Sequence, residues 1–114
     1  MMSEKTREEI RNEIIKELRV GNDELIIDEE NFHRLSDKLS EEDIQEFSDK
    51  MNELGISRLK IFNNKDTGEI QISAESDEFP DKDEGYKDTV VEMGEFLGFK
   101  CRLDDFERDK ITLI

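Results

Sequence analysis

The chain has 114 residues, 43% of them charged and 33% hydrophobic, and its 32 acids against 17 bases leave a formal net charge of -15. That length suits one domain with one modest core, and no apolar run approaches the roughly 20 residues of a membrane span. The charge disfavours direct contact with nucleic acid or an anionic membrane, since both call for a basic face.

Low hydropathy with high net charge is also a signature of disorder. Leu, Ile, Val and Phe together make 31 of 114 residues, or 27%, above the roughly 20% floor below which disorder is expected. Folding is therefore expected. The stretch from Met1 to Arg11 is charged throughout and lacks a signal-peptide apolar core. The single cysteine, Cys101, cannot form an internal disulfide, which leads us to expect a reducing, cytoplasmic setting.

Residues 6–19 read as a helix: Thr6 and Glu9 have capping-box spacing, and Ile10, Ile14, Ile15 and Leu18 form one stripe before Gly21. Residues 24–27 fit either a strand or a packed linker. Asp28 is placed to cap a second helix with apolar positions Phe32, Leu35 and Leu39. Ser40 and Asp43 form an acidic capping box, and Leu39 and Ile44 a hydrophobic staple. They open a helix through Phe47, Met51 and Leu54 that Gly55 ends.

The period then changes from 3.6 to 2. Leu59 and Ile61, then Ile70, Ile72 and Ala74, alternate with polar residues on either side of a turn-rich 63–68, the pattern of an antiparallel hairpin. An acidic loop, expected to be mobile over 75–85, contains Pro80. A helix follows through Tyr86, Val90, Met93 and Leu97, with Gly98 as its stop. Strands around 99–103 and 111–114 flank a turn at 107–110. The expected fold is α+β in one domain over 1–114. N-terminal helices, with the helical part at about 6–55, precede a ββαββ unit at about 56–114, and helices cover one face of an antiparallel sheet.

The negative charge is not spread evenly. Residues 21–55 carry -9 and residues 75–98 carry -7, whereas 1–20 and 99–114 are each neutral and 56–74 carries +1. Glu42, Glu46, Asp49 and Glu53 fall at i, i+4, i+7 and i+11, on one helical face. Solubility alone needs a net charge of about 2–8 in magnitude. Two readings follow: a solvated face on an acidic protein, or a negative surface that receives a basic partner, in the extreme as a nucleic-acid mimic.

Other chemistry is thin. His33 is the only histidine, so neither a triad nor a His-rich metal site has its usual parts. Cys101 shares a strand face with Phe99 and Leu103 and reads as a buried inert thiol. No glycine-rich phosphate loop appears. Asp81, Asp83 and Glu92 match three positions of a calcium loop. Tyr86 stands where that loop needs glycine, which leaves only weak, nonspecific divalent binding at 77–84. Arg58, Lys60 and Phe62 share a strand face without the second aromatic that RNA recognition uses, so they are expected to pair across the hairpin with Glu69 or to pack under a helix. No cofactor is expected.

The reading that combines these points is a small non-enzymatic binding or inhibitor protein that occludes a positively charged surface of a basic partner. Candidate settings are a phage anti-defence inhibitor of a nucleic-acid-binding enzyme, a nuclease immunity protein and an antitoxin. The candidate contacts are Glu42, Glu46, Asp49 and Glu53, then Asp77, Glu78, Asp81, Asp83 and Glu84. The alternative is an adaptor domain whose acids serve solubility alone.

Overall fold

The computed structural model describes residues 2–21, 23–76, 84–107 and 110–114, apart from the side chains of 84 and 103–107. In chain order they form α1 (Glu4–Arg19), β1 (Glu24–Ile27), a single 3-10 turn (Phe32–Leu35), α2 (Glu41–Leu54), β2 (Arg58–Asn63), β3 (Ile70–Glu75), α3 (Glu84–Phe96), β4 (Cys101–Glu107) and β5 (Lys110–Leu113). The strands make one antiparallel sheet in the order β1-β2-β3-β5-β4. The α+β class and the ββαββ order are those expected, and residues 24–27 resolve as the edge strand.

Two local expectations are corrected. Helix α1 starts earlier than Thr6, because Ser3 is the cap: its hydroxyl accepts from the Thr6 N–H at 3.1 Å, and the Arg7 N–H reaches the Ser3 carbonyl. The second helix shrinks to one 3-10 turn. Asp28 Oδ1 accepts from the Glu30 and Asn31 amides at 2.9 and 3.0 Å, and Ser36 Oγ accepts from the Lys38 amide. Such local side-chain bonds offer the backbone an alternative to helix, and Ser36 is extended. Ser40 therefore follows a turn, not a helix. The box it opens forms in both directions, Ser40 Oγ to the Asp43 amide and Asp43 Oδ2 to the Ser40 amide, each at 3.1 Å. Gly55, at φ +69, closes α2 with the Ile56 amide on the Met51 carbonyl, a left-handed stop that glycine makes without steric cost.

Cross-strand register decides which face of the sheet is apolar. Ile27 opposes Leu59, Leu59 opposes Ala74, Ile61 opposes Ile72, and Ile72 opposes Ile111. All are buried, and the helices pack over them. Helix α1 meets the sheet at β1, and α3 meets it at β3, β5 and β4. Phe47 of α2 stacks on Phe32 with ring centroids 4.0 Å apart and sits 6.3 Å from Phe96. Two glycines allow α3 its close approach. A Cβ on Gly94 would lie 2.8 Å from Cys101 Sγ, and one on Gly98 (φ +92) would lie 2.6 Å from the Arg7 carbonyl oxygen of α1.

Beyond Ile72 the described pairing of β3 with β5 ends. There the buried Tyr86 hydroxyl of α3 accepts from the Ala74 amide at 2.9 Å and donates to the Ala74 carbonyl at 3.1 Å. One phenol thus satisfies strand backbone that burial would otherwise leave costly, and it pins α3 to the sheet.

Candidate functional site

The candidate surface is built by α2 and α3. Phe47 and Met51 turn one side of α2 into the core, so the 3.6-residue period puts Glu42, Glu46, Asp49 and Glu53 together on one flank. Glu42, Asp49 and Glu53 are exposed, and Glu46 is half-buried. Glu46 does a structural task as well, since its carboxylate accepts from the Met2 amide at 2.5 Å and so holds the N-terminal segment against α2. Asp49 accepts from the Gln45 carboxamide at 2.8 Å.

Tyr86, Val90, Met93 and Leu97 are buried, which leaves Asp88, Glu92 and Glu95 exposed at i, i+4 and i+7 of α3. Lys50 joins the two helices. Its Nζ lies 2.5 Å from Glu92 Oε1 and 3.8 Å from Glu53 Oε2. The hydrogen bond to Glu92 raises the Lys50 pKa above its ordinary value, against an opposing but smaller effect of burial. Because the folded value is the higher one, this bond contributes throughout the neutral range and is lost only as pH rises through it. The acidic stripe of α2 and that of α3 therefore meet at Glu53 and Glu92, with Lys50 between them and the Arg7 guanidinium of α1, over the Phe96 ring, close enough to act on Lys50.

Of the nine candidate residues, the four on α2 occupy this surface. Glu84 starts α3, and its side chain lies outside the description. Asp77, Glu78, Asp81 and Asp83 lie outside the described residues, as does most of the loop proposed for weak divalent binding. Asp88, Glu92 and Glu95 are not among the nine sequence candidates, although their spacing is the one that picks out the α2 stripe.

The remaining candidates fall elsewhere. His33 is exposed in the 3-10 turn. Arg58 and Lys60 pair with Glu75, at 3.0 and 3.3 Å, and not with the expected Glu69, because the register sets Arg58 opposite Glu75. Glu69 pairs with Arg102 at 3.0 Å. The Phe62 ring lies on the uncovered face of the sheet, 5.0 Å below Lys110 Nζ. The Cys101 thiol is half-buried, faces the Val91 carbonyl at 3.7 Å, and is pushed up to about 11, first by desolvation and then by the charge of Glu95. That shift from 9.0 implies a thiolate fraction at pH 8 about 100-fold below that of a free thiol. Alkylation by iodoacetamide should be slower by a similar factor, and rapid labelling would contradict this environment.

Among the described residues no group of three or more His, Cys, Asp or Glu side chains is arranged to hold a metal ion, and no helix is long and apolar enough to cross a membrane. A cleft of about 680 Å³ opens between the turn after β1 and the C-terminal end of α2, lined by Asp28, Glu29, Glu30, Asn52, Ser57 and Arg58. No protein-family model, curated protein or solved structure matches the chain.

Proposed function

We propose that this protein is a non-enzymatic binding protein that occludes a positively charged surface of another protein, with a nucleic-acid-binding enzyme as the fitting class of target. The observation that carries the reading is the adjacency of the α2 and α3 acids across Lys50. Two stripes that bordered nothing would each present a narrow field, whereas neighbouring stripes sum theirs over one surface and steer a cationic partner onto it. Among the described residues of that surface, the acids Glu42, Asp49, Glu53, Asp88, Glu92 and Glu95 are exposed. In this reading the acids stand where phosphates would stand in the target's groove. A phage anti-defence inhibitor, a nuclease immunity protein and an antitoxin are the settings in which such occlusion would serve.

The test is capture of partners from a lysate at low and high salt by the wild-type chain and by a Glu42→Lys, Asp49→Lys, Asp88→Lys triple variant. These three positions are exposed, and none of their carboxylates pairs with Lys50 or Met2. A basic protein retained at low salt, shed at high salt and lost from the variant supports the reading. We expect a weakening of about 100-fold, roughly 1 kcal/mol for each reversed charge. A partner held equally by both chains at high salt would overturn it in favour of an adaptor that docks through apolar surface.

A further inference from the structure

The outer edge of β1 is half open, and it lies beside a cavity. The Asp23 carbonyl accepts from the Asn63 amide at 3.0 Å, and Leu25 and Ile27 continue in register with Ile61 and Leu59. Antiparallel pairing alternates, so Asp23, Leu25 and Ile27 direct their backbone groups at β2, while Glu24 and Ile26 direct theirs outward. At one end this edge is already satisfied by an amide. Asn31 Nδ2 donates to the Ile26 carbonyl at 2.8 Å, and Asn31 Oδ1 accepts from the Asp28 amide at 2.9 Å, as the peptide group of an adjacent strand would. The Ile26 N–H and the Glu24 N–H and carbonyl have no intramolecular partner among the described residues.

Alongside runs a cavity of about 230 Å³ between α1 and β1, lined by Leu25, Ile26, Leu35, Glu13, Glu17 and Arg34. The Ile26 side chain, on the other face of the strand, is 38% exposed. A groove between a helix and an open strand edge is the geometry in which extended peptides add to a sheet, the main-chain bonds giving affinity and the alternate side chains specificity. The charge around it selects the peptide. Glu13 and Glu17 line the cavity with Arg34, and Glu24 stands on the edge strand next to Asp23, which pairs with Lys65 at 3.0 Å, while Lys60, opposite Ile26, is held by Glu75. A second copy would bring the same acids to its own edge and be repelled.

We propose that the β1 edge takes an extended segment of the basic partner as a sixth strand. Its apolar side chains enter the cavity, and its Lys or Arg side chains lie beside Glu24 and the Glu13 rim. This rests on the partner being basic, but it uses a surface distinct from the α2 and α3 acids, so the two can fail separately.

The probe is acetyl-(Lys-Val)4-amide, compared with the same peptide N-methylated at alternate residues, which keeps the charge and removes strand hydrogen bonds. Titration into the labelled full chain, followed by amide NMR, should perturb Glu24–Asp28 and the Glu13–Glu17 turn of α1. The N-methylated peptide should bind at least about tenfold more weakly, and Ile26→Pro should weaken the parent peptide by a similar factor. Proline is tolerated where an edge N–H faces solvent, and if that variant does not fold, the N-methyl comparison on the wild-type chain decides alone. Equal binding of both peptides on the α2 and α3 acids would overturn the edge proposal and leave the helical surface standing. Binding of neither peptide would also overturn it, as would self-association abolished by Ile26→Pro, which would give the edge to a second copy.

Discussion

The outward face of α2 and α3 and the uncovered face of the sheet treat charge in opposite ways. On the sheet Glu75 holds both Arg58 and Lys60, and Glu69 holds Arg102. On the helices Lys50 is the cation that serves two acids, Glu53 and Glu92, with Asp88 and Glu95 further along the same α3 stripe. Cross-strand pairing sets opposite charges side by side and rewards them. A helical stripe sets like charges three and four residues apart and penalises them. Charge on the sheet thus contributes to the fold, and charge on the helices is carried at a cost. That contrast is what makes the helical surface the better candidate for a function outside the fold.

The strongest check concerns the joint between the two regions. Tyr86→Phe removes the hydroxyl that satisfies both Ala74 backbone groups, with the site remaining buried, and should lower unfolding stability by about 1–3 kcal/mol in denaturant titration. A loss below about 0.5 kcal/mol would mean that α3 is held by packing alone. Next comes the comparison itself. Glu75→Gln should destabilise by up to about 1 kcal/mol, because it leaves Arg58 and Lys60 facing each other. Glu95→Gln should do the reverse and stabilise by about 0.3–1 kcal/mol. Glu95 lies in the last turn of α3, where no basic residue stands, so it opposes both the helix dipole and Glu92 three residues before it. The same sign for both variants would break the contrast. The smallest effect is on salt. Screening should raise the melting temperature between low salt and 0.5 M sodium chloride by a few degrees, since helical repulsion outweighs the exposed sheet pairs. A fall would show that the pairs dominate.

Legibility in the sequence followed the range of the interaction responsible. The α2 capping box, the glycine stops and the alternation of β2 and β3 are set within a few residues, and each appears where the sequence puts it. The missing second helix shows the limit of a periodic pattern. Phe32, Leu35 and Leu39 have helical spacing, but Asp28, Asn31 and Ser36 have side chains that bond the local backbone instead, and Asn31 spends its carboxamide on β1, which only the folded edge brings within reach. The α3 stripe is legible by the same i, i+4, i+7 spacing as the α2 stripe. The β1 edge was not readable, because openness is a property of sheet order.

By itself, then, the sequence determined the class of fold, one domain of helices on an antiparallel sheet, and the assignment of excess negative charge to residues 21–55 and 75–98. Both follow from composition and from periods of 3.6 and 2, which need no long-range contact. The tertiary structure decided which acids meet. Lys50 finds Glu92 across 42 residues, Arg102 finds Glu69 across 33, and Tyr86 finds Ala74 across 12. Those meetings depend on strand register and on the approach of α3 that Gly94 and Gly98 permit. Steric fit between distant segments sets both, and no local pattern encodes it.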